Sequence, residues 1–390
     1  MIRDVPRDHP LLVQFREDPY PLYRYLLAAA PVQRNDLLEA WTVARYSDVV
    51  TVLTDPRFSA DRTSYSPDGY EVAKSMLVSD PPDHTRLRTL VQKAFTPRIV
   101  EQLRPRIHAI VDDLLDHAFA RGPEFDLIAD LAYPLPVIVI AELLGVPAED
   151  RATFHGWSAT LAASLDPLVS SDLMDRAWVS RDALHAYLRG IIAERRREPR
   201  SDLISALVAV EERGDTLREP ELVVMCTLLL IAGHETTVNL IGNGTLALLK
   251  HPDQLSRLRE APTLISSAVE ELLRFDSPVQ MTGRLVTEDV QLGGKAIGAG
   301  EFVLPLLGAA NHDPSQFTEP HRLDITRNPN PHVAFGRGIH FCLGAPLARV
   351  EGQIAIGSLV RRCPNLRLNG TPKRRDQITL RGLESLPVAA

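Results

Sequence analysis

The stretch Phe335-Gly336-Arg337-Gly338-Ile339-His340-Phe341-Cys342-Leu343-Gly344-Ala345-Pro346 decides how this chain is read. It places a lone thiol in a glycine-punctuated turn. A helical pattern follows at once, with Pro346 suited to its first turn. A cysteine at a helix N-terminus faces free backbone N–H groups and the positive end of the helix dipole. Both favour the thiolate, the form that binds metal. The glycines let the backbone approach a flat object and aim N–H groups at the sulfur. His340 and Arg337 stand beside it, suited to carboxylates on that object. A haem supplies all three partners: iron, a flat ring and two propionates. The alternative is a buried, inert cysteine in a Gly-rich turn.

Outside the loop, composition sets bounds. With 390 residues, 45 % hydrophobic and 24 % charged, the chain is able to bury a large core. No linker, repeat or low-complexity stretch divides it, so one domain over residues 1–390 is expected. A net charge of −7 argues against nucleic-acid binding. Cys226, Cys342 and Cys363 form no disulfide framework and fit no zinc spacing, which points to a reducing compartment. Met1 to Asp18 is charged and carries prolines, unlike a secretory signal. The apolar runs near Leu135–Val146 and Val223–Gly233 fall short of the roughly 20 residues of a membrane span. A soluble, cytoplasmic protein is expected.

The hydrophobic pattern is mostly helical. Helices are expected over about 97–121, 126–144, 149–163, 176–197, 201–212, 219–250, 252–259, 263–275 and 345–362. Thr96-Pro97 has the form of an N-cap followed by a first-turn proline. Val32–Ala44 and Gln291–Val303 read as short strands. An irregular stretch, about 308–341, leads into Cys342, and irregular segments of that length are usually functional.

Two side-chain patterns add chemistry. In the long helix, Leu228, Ala232 and Thr236 share a face at i, i+4 spacing. Ala232 and Gly233 leave room beside it. Thr236 is able to bond the Ala232 carbonyl, or to release that bond and donate to a ligand. Glu235 points about 100° away, towards solvent or a polar channel, where an acid beside an alcohol passes protons inward. The plain alternative is a packed helix with an exposed Glu and a self-bonded Thr. Further along, His84 and Arg88 share a face if their segment is helical, and two cationic donors there suit a pair of carboxylates, with Arg284 and His340 as further candidates. A capping or surface histidine is the alternative.

The Cys342 segment resembles the haem-binding loop of the cytochrome P450 family: Phe, Gly or Ser, any, Gly, any, Arg or His, any, Cys, any, Gly. Every position from Phe335 through Gly344 matches. Ala232-Gly233-His234-Glu235-Thr236-Thr237 keeps the family's oxygen-side pattern, and Glu271-Leu272-Leu273-Arg274 its Glu-any-any-Arg pair. The resemblance spans essentially the whole chain, with motifs in family order. It implies a mainly α fold with small β-sheets (α+β), with haem b between the long central helix and the helix after Cys342. It implies Cys342 as metal ligand, and Phe335, Gly336, Gly344, Ala232, His84, Arg88, Arg284 and His340 around the cofactor. Thr236 and Glu235 become the proton relay. Glu271 and Arg274 would lock to Arg322 from the irregular segment, in a structural role.

The same resemblance implies a monooxygenase that takes electrons from a ferredoxin and a ferredoxin reductase, with NADPH or NADH as ultimate donor, and inserts oxygen from O2 into a small organic substrate. The chain has no Gly-x-Gly-x-x-Gly fingerprint after a strand. Arg86, Arg88, Lys93, Arg98, Arg104 and Arg106, extended by Arg337 and Arg349, would form a basic docking patch, or simply a solvated helix face. A substrate pocket would draw on about Ala60–Val78, Leu161–Val179, Leu228–Thr236, Val279–Thr282 and Gly382–Ser385. Met76, Leu77, Val78, Leu228, Val279, Met281 and Leu383 would supply an apolar lining for a bulky hydrophobic ligand. Phe275-Asp276-Ser277-Pro278-Val279-Gln280 and Leu380-Arg381-Gly382-Leu383 resemble the actinobacterial macrolide and polyketide hydroxylases. His312 and His321 depart from positions where the family frequently has Arg and Glu. A peroxide-driven haem-thiolate enzyme and a haem gas sensor are the competing classes.

Overall fold

A computed structural model describes residues 10–61, 74–212 and 217–390. Two short helices, α1 (Pro10–Glu17) and α2 (Tyr20–Ala29), lead into strands β1 (Val32–Asn35) and β2 (Ala40–Val43). Helix α3 (Tyr46–Thr54), strand β3 (Phe58–Ser59) and helix α4 (Asp83–Gln92) follow. The helical body comprises α5 (Pro97–Ala120), strand β4 (Glu124–Asp126), α6 (Pro134–Leu144), α7 (Arg151–Ala163), α8 (Ser171–Arg197), α9 (Leu203–Glu212), α10 (Glu219–Lys250), α11 (Pro252–Glu260) and α12 (Ile265–Phe275). The last part carries β5 (Arg284–Val286), β6 (Val290–Leu292), β7 (Lys295–Ile297), β8 (Phe302–Pro305), the short α13 (Leu307–Ala310) and α14 (Ala345–Arg362). It ends in β9 (Arg367–Leu368), β10 (Lys373–Arg374), β11 (Leu383–Ser385) and β12 (Pro387–Ala389).

Most expected helices form where their periodicity placed them, and local chemistry explains the ends. The Thr96 hydroxyl accepts the Ile99 N–H at 3.4 Å, and Pro97 opens α5. The helix expected over 126–144 is broken. Tyr133 bonds back five residues to the Ile128 carbonyl at 2.9 Å, and α6 restarts at Pro134. Pro134 and Pro136 have no N–H to continue the first ladder. Helix α8 begins earlier than 176, at Ser171, because the Ser170 hydroxyl accepts the Leu173 N–H at 3.3 Å. Helices α1 to α3 and strands β9 to β12 were not anticipated. Between α13 and α14 the chain is irregular apart from one tight turn at Gly338–His340.

Helix α10 is long and apolar enough to cross a membrane, yet 67 % of its apolar stretch is buried inside the fold. It packs against α6, α7, α8, α12 and α14. Helix α14 comes unusually close: a Cβ at Gly352 would stand 2.9 Å from Leu240 Cδ2. Glycine there lets the helix that follows Cys342 seat directly on the central one. A second core lies under the five-stranded sheet, ordered β1-β2-β8-β5-β3, in which β2 and β8 run parallel.

Candidate functional site

The Cys342 loop is set by two left-handed glycines, Gly336 (φ 71°) and Gly338 (φ 69°). A side chain at Gly338 would also meet the Leu53 carbonyl of α3 at 2.8 Å, so the loop presses on α3 through bare backbone. The Cys342 N–H donates to the Phe335 carbonyl at 2.9 Å, closing the turn. Cys342 keeps open surface, whereas Cys226 and Cys363 are buried. Enough protein surrounds the sulfur for burial to push its thiol up; N–H groups of Gly344 and Ala345 and the Arg88 and Arg349 charges pull against that. Those N–H donors at the start of α14 are the ones the sequence places against the sulfur.

Beside the loop lies a cluster of two imidazoles and two guanidiniums. His84 is 2 % exposed, and among the described residues neither of its ring nitrogens has a partner, nor does His340 Nε2. The two rings lie 4.4 Å apart. Burial and then the charges of Arg284 and His84 push His340 down to about 3, and burial and Arg88 lower His84. Arg88 donates to the Phe341 carbonyl at 2.7 Å, and buried Arg284 to the Gly283 carbonyl at 2.8 Å. Unmet buried polar groups cost about 1–3 kcal/mol each. Imidazoles and guanidiniums gathered this way are suited to an anionic partner from outside the chain.

On α10, Leu228 and Thr236 are half-buried and Ala232 is exposed, while Leu229, Leu230, His234, Glu235, Thr237 and Val238 are buried. The face at i, i+4 spacing therefore retains open surface. Thr236 Oγ1 donates to the Ala232 carbonyl at 3.3 Å, as expected. Glu235 does not point to solvent. It is 1 % exposed and ion-paired with Arg375, with His234 Nε2 at 3.6 Å. Burial would raise its carboxyl, but the neighbouring His234 and the Arg375 charge outweigh that and hold it down to about 2. Arg375 escaped the sequence reading because nothing in Lys373-Arg374-Arg375 marks which cation reaches Glu235.

The buried Glu271–Arg274 pair forms, but with a different third member. Both side chains have 0 % exposure, with Arg274 Nε and Nη2 each 2.8 Å from the carboxylate. Arg274 also donates to the carbonyls of Asn311 at 2.9 Å and Pro320 at 2.8 Å. The expected Arg322 is 61 % exposed and pairs with Glu319. Arg327 takes its place, its Nε at 3.1 and 3.2 Å from Glu271. Both arginines lie in one irregular segment, and its turns, invisible to periodicity, decide which one reaches inward.

The basic patch is thinner than its sequence suggests. Arg86 pairs with Glu221 and Asp83, Arg104 with Glu101, Arg106 with Glu142 and Arg349 with Glu270. Of the apolar candidates, Leu77 is exposed, and Val78 and Val279 are half-buried. Met76 and Met281 are buried, and Leu383 has no exposed surface and belongs to the main core rather than to a wall. Within Ala60–Val78, residues 62–73 lie outside the described residues.

Comparison with known proteins decides the family. The Cytochrome P450 family model matches residues 38–379. The chain belongs to the cytochrome P450 family. Cytochrome P450 107B1 of Saccharopolyspora erythraea is 47 % identical over 92 % of each chain. The vitamin D(3) 25-hydroxylase of Pseudonocardia autotrophica is 48 % identical, over 96 % of this chain and 94 % of that protein. The crystal structure of P450BioI with hexadec-9Z-enoic acid ligated acyl carrier protein superposes with a TM-score of 0.92 at 43 % identity, covering 97 % of this chain and 100 % of that one. The protein is thus a bacterial-type P450 with the mainly α P450 fold, a monooxygenase, and P450s hold haem through a cysteine thiolate. The open thiol with its N–H donors and the orphaned imidazole nitrogens fit that cofactor and its propionates.

Proposed function

We propose that this P450 holds haem b through Cys342 and oxidises a bulky, mostly hydrophobic substrate, with electrons from a ferredoxin and its reductase. The carrying observation is that Cys342, at the start of α14, is the open thiol among three cysteines. His84, Arg88, Arg284 and His340 would bind the propionates, with Phe335, Gly336, Gly344 and Ala232 around the ring. Haem, when bound, supplies oxygen activation, which thiolate ligation favours.

The chain's own residues govern protons and access. Ala232 leaves space beside α10. Thr236 exchanges its bond to the Ala232 carbonyl for donation to the reacting oxygen. With its carboxyl held well below the usual range by Arg375 and His234, Glu235 rests as the carboxylate at neutral pH. It delivers protons only when it parts from Arg375.

Leu77, Leu228 and Val279 support an apolar ligand. So do the vitamin D(3) named for one relative and the hexadecenoic chain bound with another, both long and mostly hydrocarbon. Cytoplasmic location, as a single domain, accords with this reading. The test is turnover of a substrate found by its high-spin shift of the haem spectrum. Product should form with NADPH, ferredoxin reductase and ferredoxin. Product with peroxide alone, and none with the electron-transfer proteins, would refute the reading.

A further inference from the structure

Two adjacent glutamates on α12 hold the cysteine loop, and they hold it differently. Glu271 serves the buried arginines. Glu270 serves Arg349 of α14 and His332 of the irregular segment. Its carboxylate takes a two-point contact from Arg349 of α14, Nε at 2.7 Å and Nη2 at 2.9 Å. The Arg349 guanidinium lies over the Phe335 ring, 4.6 Å from its centre. Phe335 is the residue whose carbonyl accepts the Cys342 N–H. Glu270 also sits 3.1 Å from His332 Nε2, while His332 Nδ1 accepts the Ala334 N–H at 3.2 Å. Those partners assign the His332 proton to Nε2. One carboxylate thus fixes both the ring face of Phe335 and the backbone just before it.

Charge adds a second consequence. Arg349 lies in the second turn of α14, the helix that begins three residues after Cys342. Its guanidinium charge is within electrostatic reach of the Cys342 sulfur. An unopposed cation there would draw electron density from the sulfur, and Glu270 opposes it.

We infer that Glu270 is a positioning residue for the Cys342 thiolate: by neutralising Arg349 and clamping it on Phe335, it sets how strongly the sulfur donates to the cofactor and therefore the haem reduction potential. This rests on Cys342 as the axial ligand and goes beyond that assignment.

The experiment measures the potential and the ferrous–carbon monoxide band of haem-loaded variants. Glu270→Gln removes the opposing charge; its potential should rise by the equivalent of about tenfold in the one-electron reduction equilibrium, ~59 mV. Arg349→Gln removes the cation and should move the potential the opposite way. The double variant, with both charges gone, should return close to the parent, as should Glu270→Asp. A role in loop packing alone predicts shifts of one sign that accumulate in the double variant. That pattern, or unmoved potentials with the thiolate band intact, overturns the inference. If Glu270→Gln does not load haem, Arg349→Gln and the double variant still decide: equal potentials in those two overturn it, and a higher potential in the double variant supports it. Failure of the ligand assignment itself reads differently, as a thiolate band that survives Cys342→Ser.

Discussion

Arg327→Ala and Arg322→Ala separate the observed buried network from the one the motif suggested. Arg327 is 12 % exposed and places its Nε within 3.2 Å of both Glu271 oxygens, while its Nη1 donates to the Thr318 carbonyl at 2.8 Å. Breaking a buried pair by removing one partner costs about 3–5 kcal/mol. Glu271 would retain Arg274 on two bonds, the Asn330 amide at 3.2 Å and the Asp324 N–H at 3.0 Å, so the lower end applies. About 3 kcal/mol is roughly a 150-fold change in the folding equilibrium. Arg322 and Glu319 are both well exposed, and such a pair is worth about 0–1 kcal/mol. Urea unfolding of both haem-loaded variants, with the carbon monoxide spectrum recorded alongside, gives the comparison. Arg327→Ala should lose about 3 kcal/mol and shed thiolate-ligated haem earlier in the titration; Arg322→Ala should overlay the parent. Equal losses, or a larger loss for Arg322→Ala, would refute the assignment.

Three more outcomes are expected. Cys342→Ser should abolish the red-shifted Soret band of the reduced, carbon-monoxide-bound protein, while Cys226→Ser and Cys363→Ser keep it. Thr236→Ala should keep haem and substrate binding but send electrons from NADPH to hydrogen peroxide, and Glu235→Gln should slow turnover more than it uncouples. If Thr236 only bonds its own backbone, its removal costs about 1 kcal/mol or less and product per NADPH is unchanged. Asp276 is buried; burial would raise its carboxyl, but Arg381 and Arg374 hold it down to about 2. Its stabilising contribution is therefore present above the unfolded carboxyl range and is lost as pH falls from about 4 towards 2. Asp276→Asn should flatten the acid limb of a stability–pH curve, and an unchanged slope would count against the pairing.

What the sequence reveals here follows periodicity and short-range chemistry. The approximate spans expected for α10 and α14 agree with the observed helices because a proline in the first turn and a sustained helical pattern mark each. The Cys342 loop was legible because its glycines, thiol and following helix are contiguous. Contacts made across the fold were not. Arg375 reaching Glu235, and Arg327 displacing Arg322, depend on the path of irregular chain, where no period constrains direction. Arg349 read as a free surface charge because its partner, Glu270, lies on another helix. His312, a departure from the family pattern, is buried: its Nε2 meets the Phe275 carbonyl at 2.9 Å, and its Nδ1 meets His321 Nδ1 at 3.2 Å. The two unusual histidines answer each other, which no single position discloses.

The mixed sheet also has a history in time. Strand β2 finds its parallel neighbour β8 only through pairs such as Trp41 with Val303. On a ribosome making ~5–20 residues per second, that separation of roughly 260 residues is about 13–50 s. Throughout that interval the hairpin of β1 and β2 waits with one edge of β2 unanswered. An edge that is sealed in the finished protein is, for those seconds of synthesis, a template for pairing between nascent chains.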